Sequence, residues 1–425
     1  MQHVIIGNGP AGVVAAETIR KHRPDDTIVL IGNEPEPPYS RMAIPYLLIG
    51  NVAEDGTYLR KTADHFESLN IQMVVGQVTS VDVEGKKVAL DDGQSFEFDR
   101  CLLATGSLPV QPPITGLDSP FVQTCWTLAD ARAIMQLAKP GARVLQMGAG
   151  FIGCIILEAL AKRDVKLSVV EMGDRMVPRM MGPAAGGLIK DWCEQQGVTV
   201  YTSTKVEALE AASPIAAKFS NGKTEEYDLV IQATGVKPNI GFLSGSAIKC
   251  LQGILVDEKM QTSVPGIYAA GDCAEAFDSP SGKTIVSAIQ PNAVDQAYIA
   301  AINMAGGETS QDGVTQINVL DTLGLISTSF GQWEGVAGGE HVEVNNLAEF
   351  KHLRLEFKDD VMVGANSLGM TEHIGVLRNL VEKAIPLGEW KDRLMEDPTR
   401  LMEAYLASAQ FQEDWQGKAR GSAKS

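Results

Sequence analysis

Two short glycine runs are the residues whose spacing most plainly implies chemistry. Gly7-Asn8-Gly9-Pro10-Ala11-Gly12 and Gly148-Ala149-Gly150-Phe151-Ile152-Gly153 share the pattern Gly-x-Gly-x-x-Gly. Such a run turns the backbone tightly, exposes main-chain N–H groups to a pyrophosphate and opens a helix whose N-terminus is partially positive. The pattern alone is weak, and its context gives it force. Each run follows a short apolar segment (residues 2–6 and 142–147) and leads into apolar residues at helical spacing. A second strand-like segment then ends near an acid, Glu34 in the first case and Glu171 in the second. A carboxylate there can accept hydrogen bonds from both hydroxyls of a ribose. At Glu171 it would also repel a 2′-phosphate, which favours NADH over NADPH; Arg175 close by keeps NADPH as the less favoured alternative.

The elements that must position these runs repeat as well. Strand, glycine turn, helix and strand form a βαβ unit, and the whole unit returns roughly 140 residues later, an internal duplication. Between the two, residues 71–98 alternate and carry Asp91-Asp92-Gly93; residues 199–227 after the second unit carry Asn221-Gly222. Both are hairpin signals, so each module is expected to bear an antiparallel appendage. From about residue 311 the character changes: residues 314–330, 341–344 and 352–363 read as strands and 371–385 as a helix. The predicted fold class is α/β, with two Rossmann-like dinucleotide-binding domains and a C-terminal α+β domain. The expected boundaries are 1–110 with 236–310, 111–235, and 311–425. Residues 394–411 form an amphipathic stretch through Leu394, Leu401, Tyr405 and Leu406, suited to closing its own domain or to docking a partner or second subunit. The small, polar residues 417–425 are expected to be disordered.

Composition narrows the function class. The 425 residues are 44% hydrophobic and 21% charged, with a formal net charge of −17. No basic surplus exists to neutralise phosphates, so nucleic acid is excluded as a partner, and anionic membrane surfaces should repel the chain. No apolar run approaches the roughly 18 residues of a membrane span. Residues 1–7 already read as a strand and leave no room for a secretory signal, so the expected location is cytoplasmic. Cys101, Cys125, Cys154, Cys193, Cys250 and Cys273 show neither Cys-x-x-Cys nor metal-ligand spacing, and no iron–sulfur ligand set. They read as small buried hydrophobes that stay reduced in a cytosol.

Three further segments complete a family pattern: Leu103-Ala104-Thr105-Gly106-Ser107, residues 233–239 (Ala-Thr-Gly-Val-Lys-Pro-Asn) and residues 266–273 (Gly-Ile-Tyr-Ala-Ala-Gly-Asp-Cys). With both glycine runs in the same order, the chain resembles the FAD/NAD-linked reductases that include ferredoxin, rubredoxin and putidaredoxin reductases. NADH oxidases, coenzyme A-disulfide reductases and the flavin part of nitrite reductase belong to the same group. The resemblance covers residues 1 to about 310 and continues through the C-terminal domain. It implies an FAD site built from Gly7, Gly9, Pro10, Ala11, Gly12 and Glu34, with Arg41 near the phosphates and Val78 meeting the adenine through its backbone. Ala104, Thr105 and Gly106 would mark the crossing between modules. Gly271 and Asp272 would hold the ribityl or pyrophosphate part, and Gln290, Pro291 and Asn292 would open a helix facing the flavin pyrimidine. The NAD site would comprise Gly148, Gly150, Phe151, Ile152, Gly153, Glu171 and Gly235, with Phe151 covering the nicotinamide pocket.

Departures from the relatives are equally informative. Met42 stands where the oxidases, peroxidases and coenzyme A-disulfide reductases carry a redox cysteine, and a thioether forms neither thiolate nor mixed disulfide. Tyr46 and Ile155 replace a lysine and a glutamate that pair near the flavin in ferredoxin-reductase relatives; losing both avoids an unpaired charge. Tyr46 is then a candidate for direct contact with flavin or ligand. Among the dispersed histidines only His373 is singled out, since the third domain approaches the flavin in relatives. The function this implies is an FAD-dependent NAD(P)H:acceptor oxidoreductase, with hydride transfer to flavin N5 and a protein electron acceptor or donor, an iron–sulfur protein or subunit. Two alternatives stand beside it: an NADH oxidase or peroxidase, and an NADH-sensing flavoprotein acting through a partner. Homodimer and subunit of a larger redox complex are both left open.

Overall fold

The computed structural model describes residues 1–408 except 211, 279, 280 and 315. They form two compact units. The first comprises Met1–Gln111, Trp126–Ala131 and Gly235–Val314. Its centre is a parallel sheet in the order Ile267–Ala269, Arg100–Leu103, Gln2–Ile6, Thr27–Gly32, Ile71–Val75. The strands are near-continuous apolar runs because both faces are covered, as parallel sheets require. Helices Pro10–His22 and Gln290–Met304 cover one face, where Ile5, Ile19 and Leu30 pack with Ala15, Ala16, Ala297, Ala300 and Ala301. The alanines let the two helices approach closely. On the other face Val4, Ile6, Val29 and Ile31 meet Val81, Val88 and Leu90 of an antiparallel appendage, Val78–Asp82, Lys87–Leu90 and Ser95–Glu97.

The second unit contains residues 112–125, 132–234 and the described residues from 316 onward. Its parallel sheet runs Thr199–Tyr201, Lys166–Val170, Arg143–Met147, Leu229–Gln232, Val122–Gln123, the same arrangement about the glycine-run strand. Its appendage is Val206–Glu210, Ile215–Phe219 and Thr224–Tyr227. A five-stranded antiparallel sheet completes the unit in the order Ile317–Thr322, Leu325–Gly331, Val361–Leu368, Lys351–Lys358, Glu340–Asn346. One face of this sheet is apolar, with Phe330, Leu353, Leu355, Phe357 and Ala365 packed against Leu377, Leu380, Leu394 and Leu401. The alternate positions give a polar face, where Ser329, Arg354 and Asn366 lie side by side in register. From that polar face Asn366 bonds to Met180 and Gly182, while the indole N–H of Trp192 donates to the carbonyls of Thr322 and Leu323.

Some elements are shorter than the sequence pattern suggests. The apolar run 314–330 breaks into a hairpin because Leu323 and Gly324 take positive φ; Asp359 does the same between the last two long strands. The helix expected at 371–385 spans only Ile374–Glu382, since His373 at its N-cap is left-handed, φ 67°. In the amphipathic stretch, Leu394 and Leu401 are buried in the core of their own unit and Tyr405 packs against it, which is the domain-closing role. The remainder of that stretch, from 409, and the tail 417–425 lie outside the described residues. Among the described residues no helix is long and apolar enough to cross a membrane.

Candidate functional site

The first glycine run ends the strand Gln2–Ile6 and opens the helix Pro10–His22. Gly7 sits at φ 108°, and a Cβ added there would lie 2.0 Å from the carbonyl oxygen of Ala104. A Cβ on Gly12 would lie 1.8 Å from the carbonyl oxygen of Gly7, so both positions exclude any side chain. Gly9 differs: nothing stands within 4 Å of its added Cβ. Two glycines are thus required by the fold, and the middle one leaves room for something outside the chain. Val78 lines the adjoining cavity with Gly7, Ile31, Asn33, Gly76 and Thr105. A glycine turn of this kind at a helix N-terminus could hold a pyrophosphate, with the cavity beside it open to the nucleoside.

Around this cradle the candidate residues interlock. Arg41 donates to Glu34 Oε1 at 2.6 Å and to the Tyr39 hydroxyl at 3.0 Å, and also bonds to the Trp126 carbonyl. The Tyr39 hydroxyl donates to Glu34 Oε2 at 2.6 Å. Glu34 and Arg41, singled out separately in the sequence, are therefore partners. Thr105 donates to the Asn239 carbonyl at 2.7 Å, tying residues 105–107 to 236–239, where short strands also pair. Asp272 is held by the Ser107 hydroxyl at 2.7 Å, and burial pushes its carboxyl above the usual range. Gln290 accepts from Ser40 at 2.7 Å, and Pro291 sits in the first turn of its helix. Tyr46 lies on Ile44–Leu48 with 56% of its surface exposed, and Met42 just before it is 51% exposed.

The second run repeats the first. Gly148 takes φ 99°, its added Cβ would lie 2.3 Å from the Ala233 carbonyl oxygen, and Gly153's would lie 2.6 Å from that of Gly148. Nothing stands within 4 Å of a Cβ on Gly150, nor of one on Gly235 at φ 104°. Phe151, half-buried, is the first residue of the helix Phe151–Ala161, with Ile152 next to it. Glu171 accepts from Ala149 N–H at 2.8 Å and from Gly173 N–H at 2.7 Å, so its carboxylate braces the glycine run. The residues after it fold back on the same run: Val177 N–H donates to the Ala149 carbonyl at 2.8 Å. Val177 does so with φ 49°, a strained conformation for a β-branched residue.

Several contributors carry no sequence motif. Gln296, 1% exposed inside its helix, accepts from Gly271 N–H at 2.9 Å and fixes the turn that presents Asp272. Its signal was a glutamine on the helix face that otherwise holds alanines. Tyr39 and Asn366 carry no such signal, and Ser107 stands in the segment 103–107 without its role being marked. His373 is the left-handed N-cap of the helix Ile374–Glu382. No group of three His, Cys, Asp or Glu among the described residues could hold a metal. Burial raises the thiols of Cys101, Cys154, Cys193, Cys250 and Cys273.

Comparison with known proteins agrees with this geometry. The family model described as pyridine nucleotide-disulphide oxidoreductase matches residues 1–300. The NADH oxidase of Methanocaldococcus jannaschii is 35% identical over 345 residues, 78% of this chain and 77% of that protein. The epsilon subunit of the NADH-dependent phenylglyoxylate dehydrogenase of Aromatoleum evansii is 29% identical over 404 residues, 93% of this chain and 95% of that one. The solved putidaredoxin reductase–putidaredoxin complex matches with TM-score 0.88 at 24% identity, over 96% of this chain and 99% of that one, a likeness of fold. FAD and NADH are the cofactors of such oxidoreductases, and both cradles fit a dinucleotide. The chain belongs to the pyridine nucleotide-disulphide oxidoreductase family.

Proposed function

We propose that this enzyme passes electrons between NADH and a redox protein, an iron–sulfur protein or subunit, through FAD bound at the Gly7–Gly12 cradle. The observation that carries the reading is the pair of open glycine cradles, at Gly9 and Gly150, in one chain. Residues 1–110 and 236–310 form the FAD-binding part, 111–235 the NAD-binding part and 311–425 an interface domain. FAD, when bound, would supply the redox chemistry, acceptance of hydride and release of electrons. The protein's part is to bind and orient. Glu34, Arg41, Val78, Thr105, Asp272 and the start of the Gln290 helix hold the flavin nucleotide; Glu171 and the second run hold NADH. Phe151 keeps water from the nicotinamide pocket and Tyr46, exposed, offers a hydroxyl to flavin or ligand.

Turnover without a protein thiol is supported by Met42 and by the burial of Cys101, Cys154, Cys193 and Cys273, four thiols shifted away from thiolate. The Aromatoleum relative, matched along nearly its whole length, is a subunit of an NADH-dependent dehydrogenase, which supports an acceptor held within a complex. A second reading, reduction of O₂, is favoured by the Methanocaldococcus NADH oxidase. Anaerobic titration with NADH is expected to deliver two electrons per FAD with no second phase, and alkylating the thiols should leave dye reduction nearly intact. Oxygen uptake with NADH alone should be slow beside reduction of an iron–sulfur protein. Uptake as fast as dye reduction would transfer the case to the oxidase.

A further inference from the structure

The segment 172–182 follows the acid that braces the second glycine run; it is neither helix nor strand, yet it buries four of its side chains, Met176, Val177, Met180 and Met181, each at most 2% exposed. Its conformation is unusual at Val177, where a β-branched residue is left-handed. Such a conformation persists only where its surroundings over-determine it. Here the surroundings are specific. Val177 N–H donates to the Ala149 carbonyl at 2.8 Å, and the Val177 carbonyl accepts from Met180 and Met181 N–H, each at 2.9 Å. Arg175 reaches across to the Met181 carbonyl at 2.9 Å. The remaining anchor comes from far along the sequence. Asn366, fully buried on the polar face of the C-terminal sheet, donates from Nδ2 to the Met180 carbonyl at 3.0 Å and accepts from Gly182 N–H at 3.4 Å.

We infer that Asn366 is a positioning residue for NADH: the C-terminal sheet, through Asn366, holds segment 172–182 in the strained shape that presses Val177 against Ala149 and keeps the Gly148–Gly153 run ready for the dinucleotide. Asn366 acts through other residues. Its effect travels through Met180 and Gly182 to Val177, then to Ala149, whose N–H Glu171 already holds. The second cradle is thereby preorganised by an element that carries no nucleotide motif. The inference rests on the second run being the NADH site.

The test uses FAD-loaded enzyme and measures NAD⁺ affinity by calorimetry, FAD content, and KM against kcat. Asn366→Ala should weaken NAD⁺ about ten-fold, the scale of losing one or two buried hydrogen bonds, and raise KM for NADH while kcat at saturation and FAD content hold. Trp192→Phe is the control, because Trp192 also bonds to the C-terminal sheet but not to segment 172–182. It should leave NAD⁺ affinity unchanged. Adding Val177→Gly, which adopts positive φ without strain, should recover part of the affinity lost in Asn366→Ala. Asn366→Ser, keeping a short hydroxyl, is read the same way if Asn366→Ala does not fold. The inference is overturned if the Asn366 variants bind NAD⁺ as tightly as the wild type, or if Trp192→Phe weakens it equally. Failure of the wild type to bind NAD⁺ at all would instead overturn the assignment of the second run to NADH.

Discussion

The two glycine runs are nearly the same object built twice, and the acids beside them are not. Gly9 and Gly150 cap their helices at φ −73°, ψ −171° and φ −75°, ψ −172°. Their outer glycines meet a neighbouring strand's carbonyl and the run's own first carbonyl at similar distances. Yet Glu34 is taken up by a guanidinium and a phenol, whereas Glu171 is taken up by two main-chain amides. Backbone geometry that must receive a pyrophosphate is fixed by sterics and admits one solution. The acid near the ribose is free to be anchored by whatever the local sequence supplies. At the first run that anchor is an ion pair, so Glu34 and Arg41 stand or fall together. At the second it is the loop itself, so Glu171 shapes the cradle beside which the nucleotide is proposed to lie.

The steepest test of that likeness is to fill a required glycine in one run at a time. Gly148→Ala places a methyl about 2.3 Å from the Ala233 carbonyl and forces a side chain into a left-handed conformation. At the ~1–3 kcal/mol typical of such strain, plus the clash, NAD⁺ affinity should fall about a hundred-fold while FAD stays bound. Gly7→Ala should do the reverse, yielding protein that does not retain FAD through gel filtration. If either variant loses both ligands equally, the runs are not separate cradles.

What could be read from the sequence followed the same division. The glycine runs, the duplicated βαβ units and their hairpin appendages were legible because steric requirements leave a fixed spacing: Gly7 and Gly12 tolerate no side chain, and the spacing says so. The C-terminal sheet was legible as strands, but not where each would turn: at Asp359 the chain takes positive φ with no glycine beside it, and at Leu323 a leucine does so ahead of Gly324. The partner of each acid was illegible. Glu34 and Arg41 are seven residues apart in a loop with no periodic signal. Gln296 acts from a helix face of alanines that marks it only as core, and Asn366 from the polar face of a strand, where alternation says nothing of its partner. Long-range hydrogen bonds leave no trace in local pattern, and most of what supports the cradles is of that kind.

The different anchoring of the two acids predicts different failures. Glu171→Ala removes the ribose acceptor and frees Ala149 and Gly173 amides together, so NADH efficiency should drop about ten-fold or more, from the loss of charge-assisted hydrogen bonds. Glu34→Ala leaves the Arg41 cation without its partner and should weaken FAD retention; Glu34→Ala with Arg41→Ala should lose little beyond either single change, since each removes the same ion pair. Equilibrium dialysis of FAD against the three variants checks this. Additive losses would mean the two residues act on FAD independently.

Asp272 gives the first site a feature that can be titrated. Burial raises its carboxyl above the ordinary value, so between the unfolded and folded pKa the unfolded chain releases its proton first. The penalty is absent below the unfolded pKa, grows as pH rises through the folded one and is complete above it. Apoprotein should therefore melt lower as pH rises from the acidic range towards neutral on account of this group. Asp272→Asn, able to keep an acceptor for Ser107, should flatten that part of the profile and melt higher at neutral pH, while holding FAD less well. A steeper profile in the variant than in the wild type would mean Asp272 does not carry the penalty.

The smallest effect concerns the arginines that accompany the acids. Arg41 lies on Glu34, but Arg175 does not lie on Glu171. Its Nε donates to the Met181 carbonyl at 2.9 Å, Nη1 to Asp174 at 2.7 Å and Nη2 to the Pro178 carbonyl at 3.3 Å, and its stem lies within 3.0 Å of where a Gly186 Cβ would stand. An arginine kept for a 2′-phosphate would be costly to spend on two main-chain carbonyls. We propose on this ground that Arg175 shapes segment 172–182 and does not read the difference between NADH and NADPH. Arg175→Ala should lower efficiency with both nucleotides in step, leaving their ratio within about three-fold of the wild type, less than the ten-fold that one recognition-scale hydrogen bond represents. Steady-state kinetics with each nucleotide and a dye acceptor measure that ratio. A loss confined to NADPH would return Arg175 to the ligand and make the second cradle's arginine the counterpart of the first.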